Sequence, residues 1–218
     1  MMNLIIVLIE YIITVALLCG LLEKVEPSSN VSNSFINSIK RTTMPLCILF
    51  IINMITIAFM SFKASMPSAI FVSFVLAVFM SMAIEDECTM YVHNFYHILV
   101  FLALTIYTIF FIDNPIIYLF RGNELYPLVF LFILMAIPKL RKSIGTADML
   151  FMAENGILFT LIIHDPLYTL LNWLTAYSIH GLRNLKNIHK GSLTTPKPFI
   201  FSLAVSTSIY LILFLVMQ

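Results

Sequence analysis

Long apolar runs recur along almost the whole chain, and they restrict its fold more than any other feature. A helix needs about 17–25 predominantly apolar residues to cross roughly 30 Å of hydrocarbon. Because backbone groups in lipid must be paired within the protein, such runs are expected to form helices. We therefore predict an all-α, polytopic membrane helical bundle with about 8 transmembrane helices, forming one integral membrane domain over residues 1–218. The predicted spans cover residues 3–22, 44–62, 67–84, 96–112, 125–138, 148–163, 166–180 and 199–217.

Composition supports the membrane location. Of the 218 residues, 61% are hydrophobic and 11% are charged, whereas soluble domains carry about 25% charged residues. The first apolar run is too long for a signal-peptide core and has no basic segment before it, so we predict a retained span. Membrane lipid is the expected surrounding, and no nucleic-acid partner is expected.

Lysine and arginine are distributed unevenly between the predicted loops. Of the twelve, only Lys63 and Arg121 fall in loops after the second, fourth and sixth spans, which leaves ten for the other loops. The positive-inside rule then places those other loops in the cytoplasm and both termini outside. The same count puts Asp86 and Asp148 at the cytoplasmic side, one after the third span and one at the start of the sixth.

These two aspartates are the best candidates for chemistry. A carboxylate beside hydrocarbon is costly, so an ionisable group there suggests a functional site. Two carboxyl groups that meet can share a proton and act as acid and base. Two simpler interpretations stay open at this point. In the first, Asp86 is a solvated loop acid beside Glu85 and Glu87. In the second, Asp148 is a helix N-cap.

The residues around both aspartates resemble the catalytic motifs of the type IV prepilin peptidases. Residues 86–94 have the form D-x-x-T-x-x-V-x-N, which is similar to the first motif of that family. Residues 144–148 read I-G-T-A-D, follow Arg141 and Lys142, and resemble the second motif, G-x-G-D. The segment from Thr195 to Ala204 shows a weaker similarity, to the stretch that opens the last span of the family. Together these similarities define a prepilin-peptidase-like catalytic region over residues 83–218.

The resemblance implies a hydrolase of the compact, peptidase-only kind, a membrane aspartic endopeptidase of the G-x-G-D type. Such an enzyme removes the leader peptide of prepilin or pseudopilin substrates at the cytoplasmic face, and its products enter a type IV pilus or a related assembly. It also implies that Asp86 and Asp148 are catalytic. The expected location is the plasma membrane of a bacterium, with several passes through it, and no cofactor is expected.

The chain departs from the family pattern at two places. Ala147 stands where the second motif has its second glycine, and this is tolerated without cost only if the backbone there is helical. Residues 23–43 are predicted to form a short cytoplasmic loop where larger members carry a domain with two Cys-x-x-Cys pairs. The three cysteines of the chain form no such pair. We therefore expect no structural zinc and no methyltransferase activity.

Further polar residues are candidates for substrate binding, and they are Thr89, Asn94, Gly145, Glu154 and Asn155. Glu154 and Asn155 lie within the sixth predicted span, where they either line the substrate cleft or hold helices together. The five histidines are spread over different segments, so no metal site is predicted. Two other functions remain open. One is a catalytically impaired relative that binds prepilins without cutting them, and the other is a small proton-coupled transporter.

Overall fold

Seven helices make up most of the described chain. The computed structural model describes residues 2–25, 31–89, 91–112, 145–189 and 199–217, with four single positions between 129 and 136. The all-α prediction is confirmed for this part of the chain. The helices are α1 (Met2–Val25), α2 (Val31–Lys63), α3 (Met66–Thr89), α4 (Asn94–Phe111), α5 (Thr146–Ile162), α6 (Pro166–His189) and α7 (Ile200–Met217).

Five helices within the described ranges are long and apolar enough to cross a membrane. They agree with five predicted spans and support a multi-pass membrane protein. The candidate spans are Asn3–Leu21, Met44–Lys63, Met66–Glu87, Asn94–Phe111 and Ile200–Met217.

The predicted total of eight spans is not confirmed. The predicted spans 148–163 and 166–180 correspond to α5 and α6, which are not among the candidate spans. Helix α5 has only 17 residues, and α6 carries polar residues throughout its length. The predicted span 125–138 lies largely outside the described residues.

Helix α2 extends further towards the N-terminus than the apolar pattern predicts. Residues 31–43 belong to the polar segment predicted as a loop, yet they are helical and continue through Pro45 into the second span. The segment is therefore helical rather than irregular, and its position between the first two candidate spans agrees with the predicted boundaries. Once a helix is nucleated, each added residue gains a backbone hydrogen bond at little further cost, so a polar extension can remain helical.

The core of the bundle is centred on α3 and α7. Helix α3 packs against α1, α2, α4 and α7, and α7 also packs against α2, α5 and α6. Almost every side chain from Val72 to Ala83 of α3 is buried. Helix α5 packs between α4 and α6. The end of the most buried span and the start of α5 are therefore held by several neighbouring helices.

Candidate active site

Asp86 lies near the C-terminal end of α3, and its side chain is buried. Its Oδ2 atom accepts a hydrogen bond of 3.0 Å from the backbone N–H of Ile200, the first residue of α7. The first amides of a helix have no partner within the helix, and this end carries a partial positive charge. The N-terminus of α7 therefore stabilises a carboxylate on Asp86.

The two acidic neighbours of Asp86 are bound to other helices and segments. Glu85 accepts a hydrogen bond of 3.0 Å from the backbone N–H of His93 and also bonds the His93 ring. Glu87 forms an ion pair with Arg183 of α6. Successive residues of a helix point about 100° apart, so the three side chains point in different directions. Since Asp86 is only 8% exposed, its interpretation as a solvated loop acid is wrong.

Asp148 is the third residue of α5, and its carboxylate folds back on the start of the same helix. The N-cap is Gly145, which makes no side-chain cap, so Asp148 is not the N-cap itself. Its carboxylate instead accepts a hydrogen bond from the backbone of Gly145. This is one half of a capping box. A Cβ on Gly145 would lie 3.1 Å from Asp148 Oδ2, so glycine allows this close approach.

Ala147 occupies a helical position. It is the second residue of α5, and its backbone is continuous with the helix that follows. A glycine is required where φ is positive or where another group approaches the backbone closely. The helical backbone removes the first requirement. Alanine therefore replaces the motif glycine at this position without backbone cost.

Asp86 and Asp148 lie close enough for their charges to interact, one near the end of α3 and the other at the start of α5. Asp148 lies outside the five candidate spans. Burial raises the pKa of its carboxyl to about 6, although the Gly145 hydrogen bond and the charge of His97 oppose this shift. Burial and the charge of Asp148 also raise the pKa of Tyr177 on α6.

A buried histidine–glutamate pair joins α4 to α5, and the sequence pattern does not single out its histidine. His97 Nδ1 lies 2.8 Å from Glu154 Oε1, and the side chains are 4% and 0% exposed. His97 is in the first turn of α4, close to a predicted span edge. The rule that selected the two aspartates, an ionisable residue at a span edge, would have selected this histidine as well.

The other predicted binding residues fall in different places. Asn155 donates to Thr207 Oγ1 at 2.7 Å and accepts from Asn172 Nδ2 at 2.5 Å. It therefore joins α5 to α7 and α6, which supports the interpretation that it holds helices together. Asn94 is the exposed first residue of α4. Thr89 ends α3, and its side chain lies outside the described residues.

Two parts of the motif resemblance cannot be placed. Arg141 and Lys142, and the segment from Thr195 to Pro198, lie outside the described residues. Within the described ranges, no group of three or more His, Cys, Asp or Glu side chains is arranged to hold a metal ion.

No protein-family model, curated protein or solved structure matches the chain. The chemical interpretation of the site therefore rests on two carboxyl groups that interact. One is held by the N-terminus of α7 and the other by the N-cap of α5.

Proposed function

We propose that the protein is a membrane aspartic endopeptidase that removes the leader peptide of type IV prepilin-like proteins. One observation carries this proposal. Asp86 and Asp148, which lie on helices far apart in sequence, interact at the end of the buried helix α3. The motif resemblance connects that pair to the prepilin peptidases. The proximity of both motif aspartates supports this connection.

The pair supplies what peptide hydrolysis needs. An ionised carboxylate takes a proton from water, and the water attacks the scissile carbonyl. A protonated carboxyl polarises that carbonyl and later protonates the leaving amine. Two carboxylates held close together cannot both ionise cheaply, so one proton is shared between Asp86 and Asp148. The amides of Ile200 and Gly145 hold the two groups in place.

The proposed substrate is a prepilin or pseudopilin whose apolar helix inserts in the bilayer beside the bundle. Its leader junction would then lie at the membrane interface, at the level of the two aspartates. In this proposal the bundle has about eight spans, with α5, α6 and residues 125–138 completing the five candidate spans. The positive-inside rule assigns the site to the cytoplasmic face of a bacterial plasma membrane.

A proton-coupled transporter is the second candidate, and one observation favours it. His97 and Glu154 form a buried ionisable pair between α4 and α5, and such pairs occur in proton relays of membrane proteins. A catalytically impaired relative is less well supported, because the helical backbone at Ala147 gives no structural reason for lost activity.

Leader cleavage tests the proposal. The chain is co-expressed with pilin-like substrates from its own genome, and the loss of the leader is followed by electrophoretic mobility. We expect the parent to cut and Asp86→Asn and Asp148→Asn to leave the leader intact. Asp165→Asn is the matched control. Asp165 Oδ1 accepts the Leu167 amide at 2.8 Å at the start of α6, and asparagine can accept the same bond.

The controls separate the candidate functions. All variants must reach the membrane in equal amounts, as judged by immunoblot of the membrane fraction. If the parent is folded and inserted but leaves every leader intact, the peptidase proposal is wrong. Proton flux into vesicles loaded with a pH dye then tests the transporter, for which the parent but not Glu154→Gln should conduct protons.

A further inference from the structure

A polar cavity lies at the end of the bundle opposite the two aspartates. Its volume is about 160 Å³, and its lining includes Lys63, Ser68, Tyr107 and His164. Ser68 is in the first turn of α3, about 27 Å along the helix from Asp86 at about 1.5 Å per residue. The cavity is smaller than the roughly 300–1,000 Å³ that holds a drug-sized ligand, so it suits a small polar group.

Lys63 departs from the charge distribution of the chain. Only two of the twelve basic residues fall in loops after the second, fourth and sixth predicted spans, and Lys63 is one of them. It is the last residue of α2, where it lines the polar cavity. Burial lowers the pKa of His164, so that ring is neutral at neutral pH and Lys63 supplies positive charge. An anionic group in the cavity would account for a lysine at this membrane face.

Three hydroxyl groups form a hydrogen-bonded chain at the wall of the cavity. Ser65 Oγ lies 2.8 Å from Ser68 Oγ, which lies 2.8 Å from the hydroxyl of Tyr107. Each hydroxyl carries one hydrogen, and the two contacts use two of the three. Because Ser68 and Tyr107 line the cavity, the third hydrogen can be directed to an acceptor inside it.

His164 lines the same cavity with a strained backbone. Its φ is 61°, a region that glycine usually occupies at the end of a helix. Its backbone N–H donates to Phe159 O at 3.1 Å, and its Nδ1 donates to Thr160 O at 2.9 Å. A non-glycine residue in this region costs about 1–3 kcal/mol, and such strain concentrates at functional sites. The two bonds hold the imidazole at the cavity wall.

A second, apolar cavity adjoins the first, and Tyr107 lines both. It has a volume of about 600 Å³ and lies between α3 and α4. Its lining on α4 extends from Leu99 to Phe111, about 18 Å along the helix. Glu10 of α1 also lines it, and its Oε2 accepts a hydrogen bond of 2.6 Å from Ser73. A long apolar cavity of this kind accommodates an alkyl chain.

We propose that the two cavities form one binding site for a membrane phospholipid, with the phosphate in the polar cavity and an acyl chain in the apolar one. Lys63 pairs with the phosphate, and Ser68 and Tyr107 donate to its oxygens. The depth agrees with this assignment, because one candidate span ends at Lys63 and the next begins at Met66, where the hydrocarbon core gives way to headgroups. The site is separate from the aspartates and does not depend on the proposed peptidase function.

Native mass spectrometry of the purified, delipidated full-length chain tests the proposal through the dissociation constants of three probes. The first is dioleoyl phosphatidylglycerol. The second, dioleoylglycerol, has the same chains without a phosphate, and the third, glycerol 3-phosphate, has the phosphate without chains. We expect the first probe to bind at one site and each of the others to bind at least tenfold more weakly.

Three variants address the parts of the site. Lys63→Gln should weaken binding of the phospholipid at least tenfold. Ser68→Ala should weaken it roughly two- to tenfold, the range for one hydrogen bond, although it changes no charge. Ala103→Phe places a ring in the apolar cavity, which Ala103 lines, and should also weaken binding. Lys186→Gln is the control, since it removes the same charge on α6 outside both linings.

The outcomes decide the proposal without a cleavage assay. A lysine near a membrane surface attracts anionic lipid by about 1 kcal/mol, roughly fivefold in affinity. Equal losses in Lys63→Gln and Lys186→Gln would therefore show only this general attraction and would overturn the proposal. Parental affinity in folded Ser68→Ala would overturn it as well. Dioleoylglycerol or glycerol 3-phosphate that binds as tightly as the phospholipid would exclude a joint site for phosphate and chain.

Discussion

Replacing Gly145 with alanine tests whether the backbone before α5 fixes the position of Asp148. Gly145 has φ −63° and ψ 151°, a region open to alanine, so the backbone itself is not strained by the change. The new methyl carbon would lie 3.1 Å from Asp148 Oδ2 and 3.7 Å from its Cγ, whereas ordinary contact begins at 3.4 Å. The carboxyl group must therefore move by a few tenths of an ångström.

The expected loss of activity follows from that displacement. A misplacement of about 1 Å at a reacting group can cost about 100-fold in rate. A few tenths of an ångström then predicts a decrease in kcat/KM of roughly three- to tenfold. Stability should change by less than about 1 kcal/mol, because the entropy gain from replacing glycine is opposed by the preference of N-cap positions for glycine over alanine. Gly145→Ala is thus expected to lose activity while its Tm changes little.

The assay combines leader-peptide cleavage, followed by mass spectrometry, with thermal unfolding of the purified protein. Gly181→Ala is the matched control, since a Cβ at Gly181 would meet no atom within 4 Å. It lies within α6, where alanine is favoured over glycine by about 1 kcal/mol, and it should leave cleavage unchanged. Parental cleavage by Gly145→Ala would refute the argument. So would a loss of activity matched by an equal loss of stability.

Four further changes test other parts of the site. Ala147→Gly restores the motif glycine at a helical position, so it should lower the free energy of unfolding by no more than about 1 kcal/mol without faster cleavage; a tenfold gain in kcat/KM would contradict this. Arg183→Gln leaves the carboxylate of Glu87 without its ion-pair partner. The free energy of unfolding, measured by thermal unfolding, should decrease by about 3 kcal/mol. This is the low end for a broken buried pair, because the Arg183 side chain is 15% exposed. Asn155→Leu should lower the free energy of unfolding by about 1–2 kcal/mol in the same assay and leave kcat/KM unchanged. A selective loss of substrate affinity would assign that residue to the cleft instead. Cleavage should fall as pH drops through about 6, because burial raises the pKa of Asp148 to that value and a fully protonated pair contains no base; a pH–rate midpoint near 4 would contradict this.

The length of the apolar runs predicts much of this fold. Five runs of adequate length correspond to five candidate spans, and their ends agree within about three residues because the bilayer thickness sets the helix length. The same runs place the two aspartates at span edges. Their meeting was inferred only from charge distribution and motif order, and the packing of α3 against its neighbours provides the site.

Other features depend on tertiary packing and could not be predicted. Residues 31–43 are polar, and their composition does not reveal that they extend a helix. Helix α5 is short and α6 is polar, so the predicted spans 148–163 and 166–180 are not among the candidate spans, although both helices help to form the site. The separate partners of Glu85 and Glu87 depend on where α4 and α6 lie. The pairing of His97 with Glu154 joins residues on different helices, and a single sequence does not record such contacts.

Cleavage by the purified chain tests the central claim most directly. The protein is reconstituted in lipid vesicles with a synthetic prepilin-like substrate, and the products are identified by mass spectrometry. We expect the parent and Asp165→Asn to make one cut at the leader junction, and Asp86→Asn and Asp148→Asn to make none. An intact substrate after incubation with the folded, inserted parent would contradict the claim. Cleavage at the parental rate by Asp86→Asn or Asp148→Asn would contradict it as well.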